Sequence, residues 1–108
     1  MNTVYAKCHI CGDGGYVVYD EFRGSFICEC QSCGALVSDM ATGIETARWF
    51  EEGRYSNVSE CPYCEAETFG LTAVHSIQGP RIECSCGVSG PYGHDDEDAL
   101  MAWNNLNA

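Results

Sequence analysis

A chain of 108 residues fits one ordinary domain or two very small ones, and at that size apolar burial alone stabilises a fold poorly. Sixteen Asp and Glu against five Lys and Arg give a formal charge of -11, which argues against phosphate binding, where affinity comes from basic side chains. No apolar run approaches the ~18 residues of a membrane span, so nine cysteines stand out as the means of stapling the chain.

In chain order, Met1 to Lys7 (MNTVYAK) runs straight into Cys8 with no apolar stretch or small-residue cleavage site. The expectation is a cytoplasmic protein, where thiols stay reduced and paired cysteines bind metal rather than form disulfides. An odd cysteine count fits metal better for the same reason. Cys8-His9-Ile10-Cys11 reads as a first knuckle. Two short β-prone runs follow, Tyr16 to Tyr19 and Ser25 to Cys28, separated by Asp20 to Gly24, and predict a hairpin. After a second knuckle, Cys30-Gln31-Ser32-Cys33-Gly34, the pair Thr42 and Glu45 forms a T-x-x-E capping box and predicts a helix start. Glu52 to Asn57 reads as a linker.

The pattern then repeats, with Cys86 in register with Cys33. Cys61-Pro62-Tyr63-Cys64 matches the first knuckle and Cys84-Ser85-Cys86-Gly87 the second, with one residue fewer between its cysteines. Phe69 to His75 and Arg81 to Cys84 flank a turn-forming stretch, Ser76 to Pro80, and predict the second hairpin. Asp95 and Asp98 fall where Thr42 and Glu45 fall, placing a capping carboxylate and a further negative charge at a helix N-terminus. Phe50 and Trp103 are equivalent, and Ala99 and Trp103 share a helix face. The fold class expected is a small α+β zinc protein. It comprises two tandem zinc-ribbon-like units, residues 1–54 and 55–108, each with two cysteine knuckles, a β-hairpin and a short C-terminal helix. Whether the units pack together is not legible, although Trp49 and Trp103 offer apolar surface for it.

Two tight turns brought together by a hairpin supply four thiolates to a tetrahedral Zn²⁺ without strain. The ligand sets expected are Cys8, Cys11, Cys30 and Cys33, and Cys61, Cys64, Cys84 and Cys86, giving two structural zinc ions per chain. A Cys8, Cys11, Cys28, Cys30 set would instead copy the C-x-C turn of the second half; against it, Cys28 aligns with Ile82 and reads as a small buried apolar residue. The glycines that follow the knuckles, Gly12, Gly34 and Gly87, let the turn curl so that amides reach the sulfurs, and Glu65 takes that place in the third knuckle. His9, His75 and His94 lack ligand spacing.

Catalysis is not expected. Cys61-Pro62-Tyr63-Cys64 is a C-x-x-C of redox type, but no strand pattern precedes it and Cys84 and Cys86 wait downstream. No histidine begins the H-x-E of a zinc deaminase. Four cysteines also close a zinc ion's coordination, leaving no open position for substrate.

Residues 60–106 resemble the Lar family of phage and prophage restriction alleviation proteins. The likeness lies in the Cys61-Pro62-Tyr63-Cys64 knuckle, the Cys84-Ser85-Cys86-Gly87 pair and the helix Asp98-Ala99-Leu100-Met101-Ala102-Trp103-Asn104. The first half keeps the layout but has Phe50-Glu51 in place of Trp-Asn. The resemblance implies an accessory protein in a bacterial host cytoplasm that binds and inhibits or redirects a restriction-modification or other DNA-processing enzyme. The acidity fits a partner with a basic surface better than it fits nucleic acid or membrane. By halves, residues 1–54 carry four basic against eight acidic side chains and residues 55–108 one against eight, so Asp95, Asp96, Glu97 and Asp98 are the candidate docking cluster, with helix capping as the plainer account. A zinc-ribbon nucleic-acid module and a thiol oxidoreductase are the competing functions.

Overall fold

The computed structural model describes residues 4–64 and 70–106. The first half holds four strands, β1 (Val4–Lys7), β2 (Gly14–Asp20), β3 (Ser25–Glu29) and β4 (Leu36–Met40), and one helix, α1 (Gly43–Glu52). The second holds a hairpin, β5 (Leu71–Ser76) and β6 (Gly79–Cys84), and a helix, α2 (Asp96–Asn105). All neighbouring strands are antiparallel, in the orders β1-β2-β3-β4 and β5-β6.

Both expected hairpins form, but the first grows into a sheet. β1 is only four residues long and abuts a knuckle, and β4 follows the next knuckle directly, so neither shows the length or alternation that marks a strand in sequence. The second turn is tighter than expected. Gly79 and Pro80 belong to β6, opposite Ser76 and His75, which leaves Ile77 and Gln78 as the turn. Phe69, read as a strand residue, and Glu65, read as a knuckle residue, lie outside the described residues.

Both capping signals hold. Thr42 accepts from the Glu45 amide at 3.2 Å, and Asp95 from the Asp98 amide at 2.7 Å, while the Asp98 carboxylate accepts from the His94 amide at 2.9 Å. At its far end α1 closes on Gly53, whose φ of 82° only glycine adopts freely; its amide and that of Arg54 donate to Phe50 and Trp49 carbonyls.

The segment read as a linker is packed. Once Gly53 has reversed the chain, Tyr55 tucks under α1 with its ring 5.2 Å from that of Phe50. The Ser56 amide donates to the Leu36 carbonyl at 2.6 Å and the Asn57 side chain accepts from the Leu36 amide at 2.7 Å, so the chain covers the outer edge of β4. Residues 57–59 then bind α2. Trp103 Nε1 donates to the Ser59 carbonyl, Asn104 accepts from the Ser59 amide, and its Nδ2 donates to the Asn57 carbonyl, at 2.9, 2.8 and 2.6 Å. Trp103 is fully buried, and Gly90 lies so close to its ring that a side chain there would collide.

One apolar core runs through both halves, from Ala6, Cys28 and Val37 past Phe50 and Tyr55 to Leu71, Ile82, Leu100 and Trp103. Two further contacts join them. The Ala73 amide of β5 donates to the Ile10 carbonyl inside the first knuckle at 2.8 Å, and Glu97 of α2 lies over Gly34, its Cγ within 3.2 Å of where a Cβ would stand.

Candidate metal centres

Each pair of knuckles brings four sulfurs together. Cys8, Cys11, Cys30 and Cys33 form one group and Cys61, Cys64, Cys84 and Cys86 the other, with all sulfurs of a group within 4.8 Å of one another. In the first, Cys8 faces Cys33 at 3.5 Å and Cys11 faces Cys30 at 3.3 Å; in the second, Cys61 faces Cys86 at 3.7 Å and Cys64 faces Cys84 at 3.5 Å. A disulfide would need about 2.05 Å. Four thiolates about 2.3 Å from a tetrahedral ion stand about 3.8 Å apart, close to these separations. The two clusters are thus positioned to hold metal ions. Both pair first cysteine with last and second with third, so the shorter C-x-C turn of the second half does not alter the arrangement.

Cys28 takes no part. It sits in β3 between Val17 and Val37, fully buried, and burial pushes its thiol up to about 12, the state of a neutral core side chain. Cys30 and Cys33 project from the knuckle instead.

The glycines act through the residue after them. Gly12, Gly34 and Gly87 have φ of 85°, 78° and 99°, and their own amides close on the carbonyls of Cys8, Cys30 and Cys84. This left-handed step aims the next amide at sulfur: Asp13 at Cys11, Ala35 at Cys33 and Val88 at Cys86. The amide of Cys33 also approaches Cys30 Sγ at 3.5 Å. One donor was not legible in the sequence. Tyr55 accepts from the His9 amide at 2.7 Å and directs its hydroxyl to Cys8 Sγ at 3.4 Å, across 47 residues.

Charge suits the first tetrad to a cation. Hydrogen bonds from Cys11 and its neighbours hold Cys8 below the ordinary thiol range and Cys30 at about 6, while the same contacts, led by Cys30 for Cys11 and by Cys11 for Cys33, drive those two above it. Four thiolates this close repel, and all can ionise together only around a cation.

Of the histidines, His75 Nε2 meets Asp96 Oδ1 at 2.6 Å, and none belongs to a four-sulfur group. The acidic run at α2 is largely committed within the chain. Asp95 and Asp98 cap, Asp96 pairs with His75, and Glu97 covers Gly34. Arg23, Arg54 and Arg81 each pair with a carboxylate, of Asp20, Glu52 and Glu83. Among the described residues no helix is long and apolar enough to cross a membrane. No family model, curated protein or solved structure matches the chain.

Proposed function

We propose that the chain is a zinc-scaffolded, non-catalytic binding protein whose acidic surface docks on a basic protein. The observation that carries this reading is the closure of both tetrads. Four sulfur donors leave a zinc ion no open position, so the metals serve to hold knuckles and hairpins together in two zinc-ribbon-like units. An all-thiolate set of four donors supports zinc as the ion. Cys61 and Cys64, the pair with redox spacing, face Cys86 and Cys84 and act as ligands in this reading.

Arg23, Arg54 and Arg81 are three of the five basic side chains, and their pairing with carboxylates leaves little for phosphate. The resemblance of residues 60–106 to restriction alleviation proteins gives the partner its class, a restriction-modification or other DNA-processing enzyme. Native mass spectrometry should find two zinc ions per chain. In pull-down and titration at physiological salt, the zinc-loaded protein should bind a purified restriction-modification enzyme and not free duplex DNA. Micromolar or tighter binding to the duplex would favour the nucleic-acid module, and thiol–disulfide exchange activity abolished by Cys61→Ser would favour the oxidoreductase.

A further inference from the structure

The two sheets differ on their solvent faces. Antiparallel sheets covered on one side normally alternate apolar inside with polar outside. The hairpin β5-β6 obeys but for Val74: its outer pairs are Thr72 with Glu83 and Val74 with Arg81. The four-stranded sheet does not. Its core face carries Ala6, Val17, Cys28 and Val37, yet its outer face pairs Tyr5 with Tyr16 and Val18 with Ile27. Tyr5, Tyr16 and Val18 are about half exposed, at 52, 49 and 47%. Tyr16 and Val18, with Ile27, floor an open cleft of about 550 Å³ whose other lining residues are Glu29, Cys30, Gln31 and Gly34 of the first half and Glu97 of α2. Among the described residues, the lining holds two carboxylates, the first-tetrad sulfur of Cys30 and no basic side chain. Glu97, which lies over Gly34, is the second half's contribution to a cleft otherwise lined by the first.

Resting on the reading of a basic protein partner, we infer that this cleft is the docking site, and that it takes a segment with an aliphatic side chain flanked by lysine or arginine. The aliphatic group covers Val18 and Ile27, while the cations reach Glu29 and Glu97 and the exposed face of Tyr16. A second copy of the chain fits poorly, since it would bring two acidic rims together on chains that each carry -11. The inference moves docking from the capping carboxylates Asp95 and Asp98 to the sheet face and to Glu97.

The test uses the zinc-loaded full chain and a labelled short peptide alternating lysine and leucine, with a glutamate–leucine peptide as control. Amide shifts mapped by NMR should cluster at Tyr16, Val18, Ile27, Glu29 and Glu97. Val18→Thr, a surface change that retains β propensity, and Tyr16→Ser should each weaken binding by about tenfold. Glu29→Gln with Glu97→Gln should flatten the salt dependence. Metal content and amide dispersion serve as the fold control. Shifts on another face, with affinity unchanged in these variants, would overturn the cleft while the basic-partner reading stands. Equal binding of the glutamate peptide, or no binding of the lysine peptide at millimolar concentration, would overturn the cleft; failure to bind the restriction-modification enzyme as well would remove the partner reading with it. Self-association abolished by Val18→Thr would assign the cleft to a second copy and overturn the inference.

Discussion

The two sulfur tetrads are built from the same pattern and shielded differently. In the first, Cys8, Cys30 and Cys33 are buried and Cys11 is half-buried; in the second, Cys61 and Cys84 are buried while Cys64 and Cys86 are exposed. The first stands between a four-stranded sheet, α1 and the Tyr55 hydroxyl, whereas the second has a two-stranded hairpin and α2. Paired knuckles gather the four sulfurs alike in both halves, while the structure built around them differs and with it their exposure. The first half is the platform on which the second is mounted, through Ile10, Gly34 and residues 55–59.

Breaking the platform should have the largest effect. Structural zinc in such sites contributes about 10–16 kcal/mol, comparable to or greater than the net stability of a small domain. Cys33→Ala is therefore expected to abolish the cooperative melting transition and release both ions, read by circular dichroism and native mass spectrometry. Cys86→Ser should release only the second ion and leave β1 to β4 protected in hydrogen exchange. If Cys33→Ala retained the second ion, the halves would be independent and the platform picture wrong.

The difference in exposure can be tested without mutation. Against a chromogenic chelator the second site should empty first, and alkylation of the partly stripped protein should label Cys64 and Cys86 before Cys8 or Cys33. Equal rates at the two sites would show that this difference in exposure does not govern access.

Next in size is the seam. Trp103→Ala removes the largest fully buried side chain and the bond to Ser59, and should cost about 3–5 kcal/mol in denaturant unfolding. Asn104→Ala, which leaves the Ser59 amide and Asn57 carbonyl without their partner, should cost about 1–3 kcal/mol. A loss confined to protection of α2, with residues 57–59 undisturbed, would mean that these contacts do not hold the seam.

Smallest are the changes beside the first tetrad. Tyr55→Phe keeps the ring against Phe50 but removes the hydroxyl from His9 and Cys8, and should cost about 1 kcal/mol or slightly more while increasing first-site zinc exchange. Cys28→Ala should leave two ions bound, at a cost set by the small cavity it opens between Val17 and Val37. Loss of the first ion in Cys28→Ala would return Cys28 to the ligand set.

What the sequence by itself determined is local. Knuckle spacing, left-handed glycines, capping boxes and β-prone runs act over a few residues, so the gathered sulfurs, both helices and both hairpins were legible one after another. The exclusion of Cys28 was legible only through the internal repeat, which compares two stretches of one chain. The tertiary structure decided what depends on distant partners. β1 has only four residues and β4 (Leu-Val-Ser-Asp-Met) no alternation of apolar with polar, and both exist because β2 and β3 offer edges. Tyr55 looked like a linker residue because nothing near it in sequence shows that Gly53 folds it onto Cys8. Trp103 and Asn104 could be matched as a motif, but their bonds to Ser59 and Asn57 span more than 40 residues. The acidic run at α2 shows the same limit. Its charge is a property of the sequence, while its division among capping, His75 and the lip of a cleft follows from where the second half comes to rest on the first.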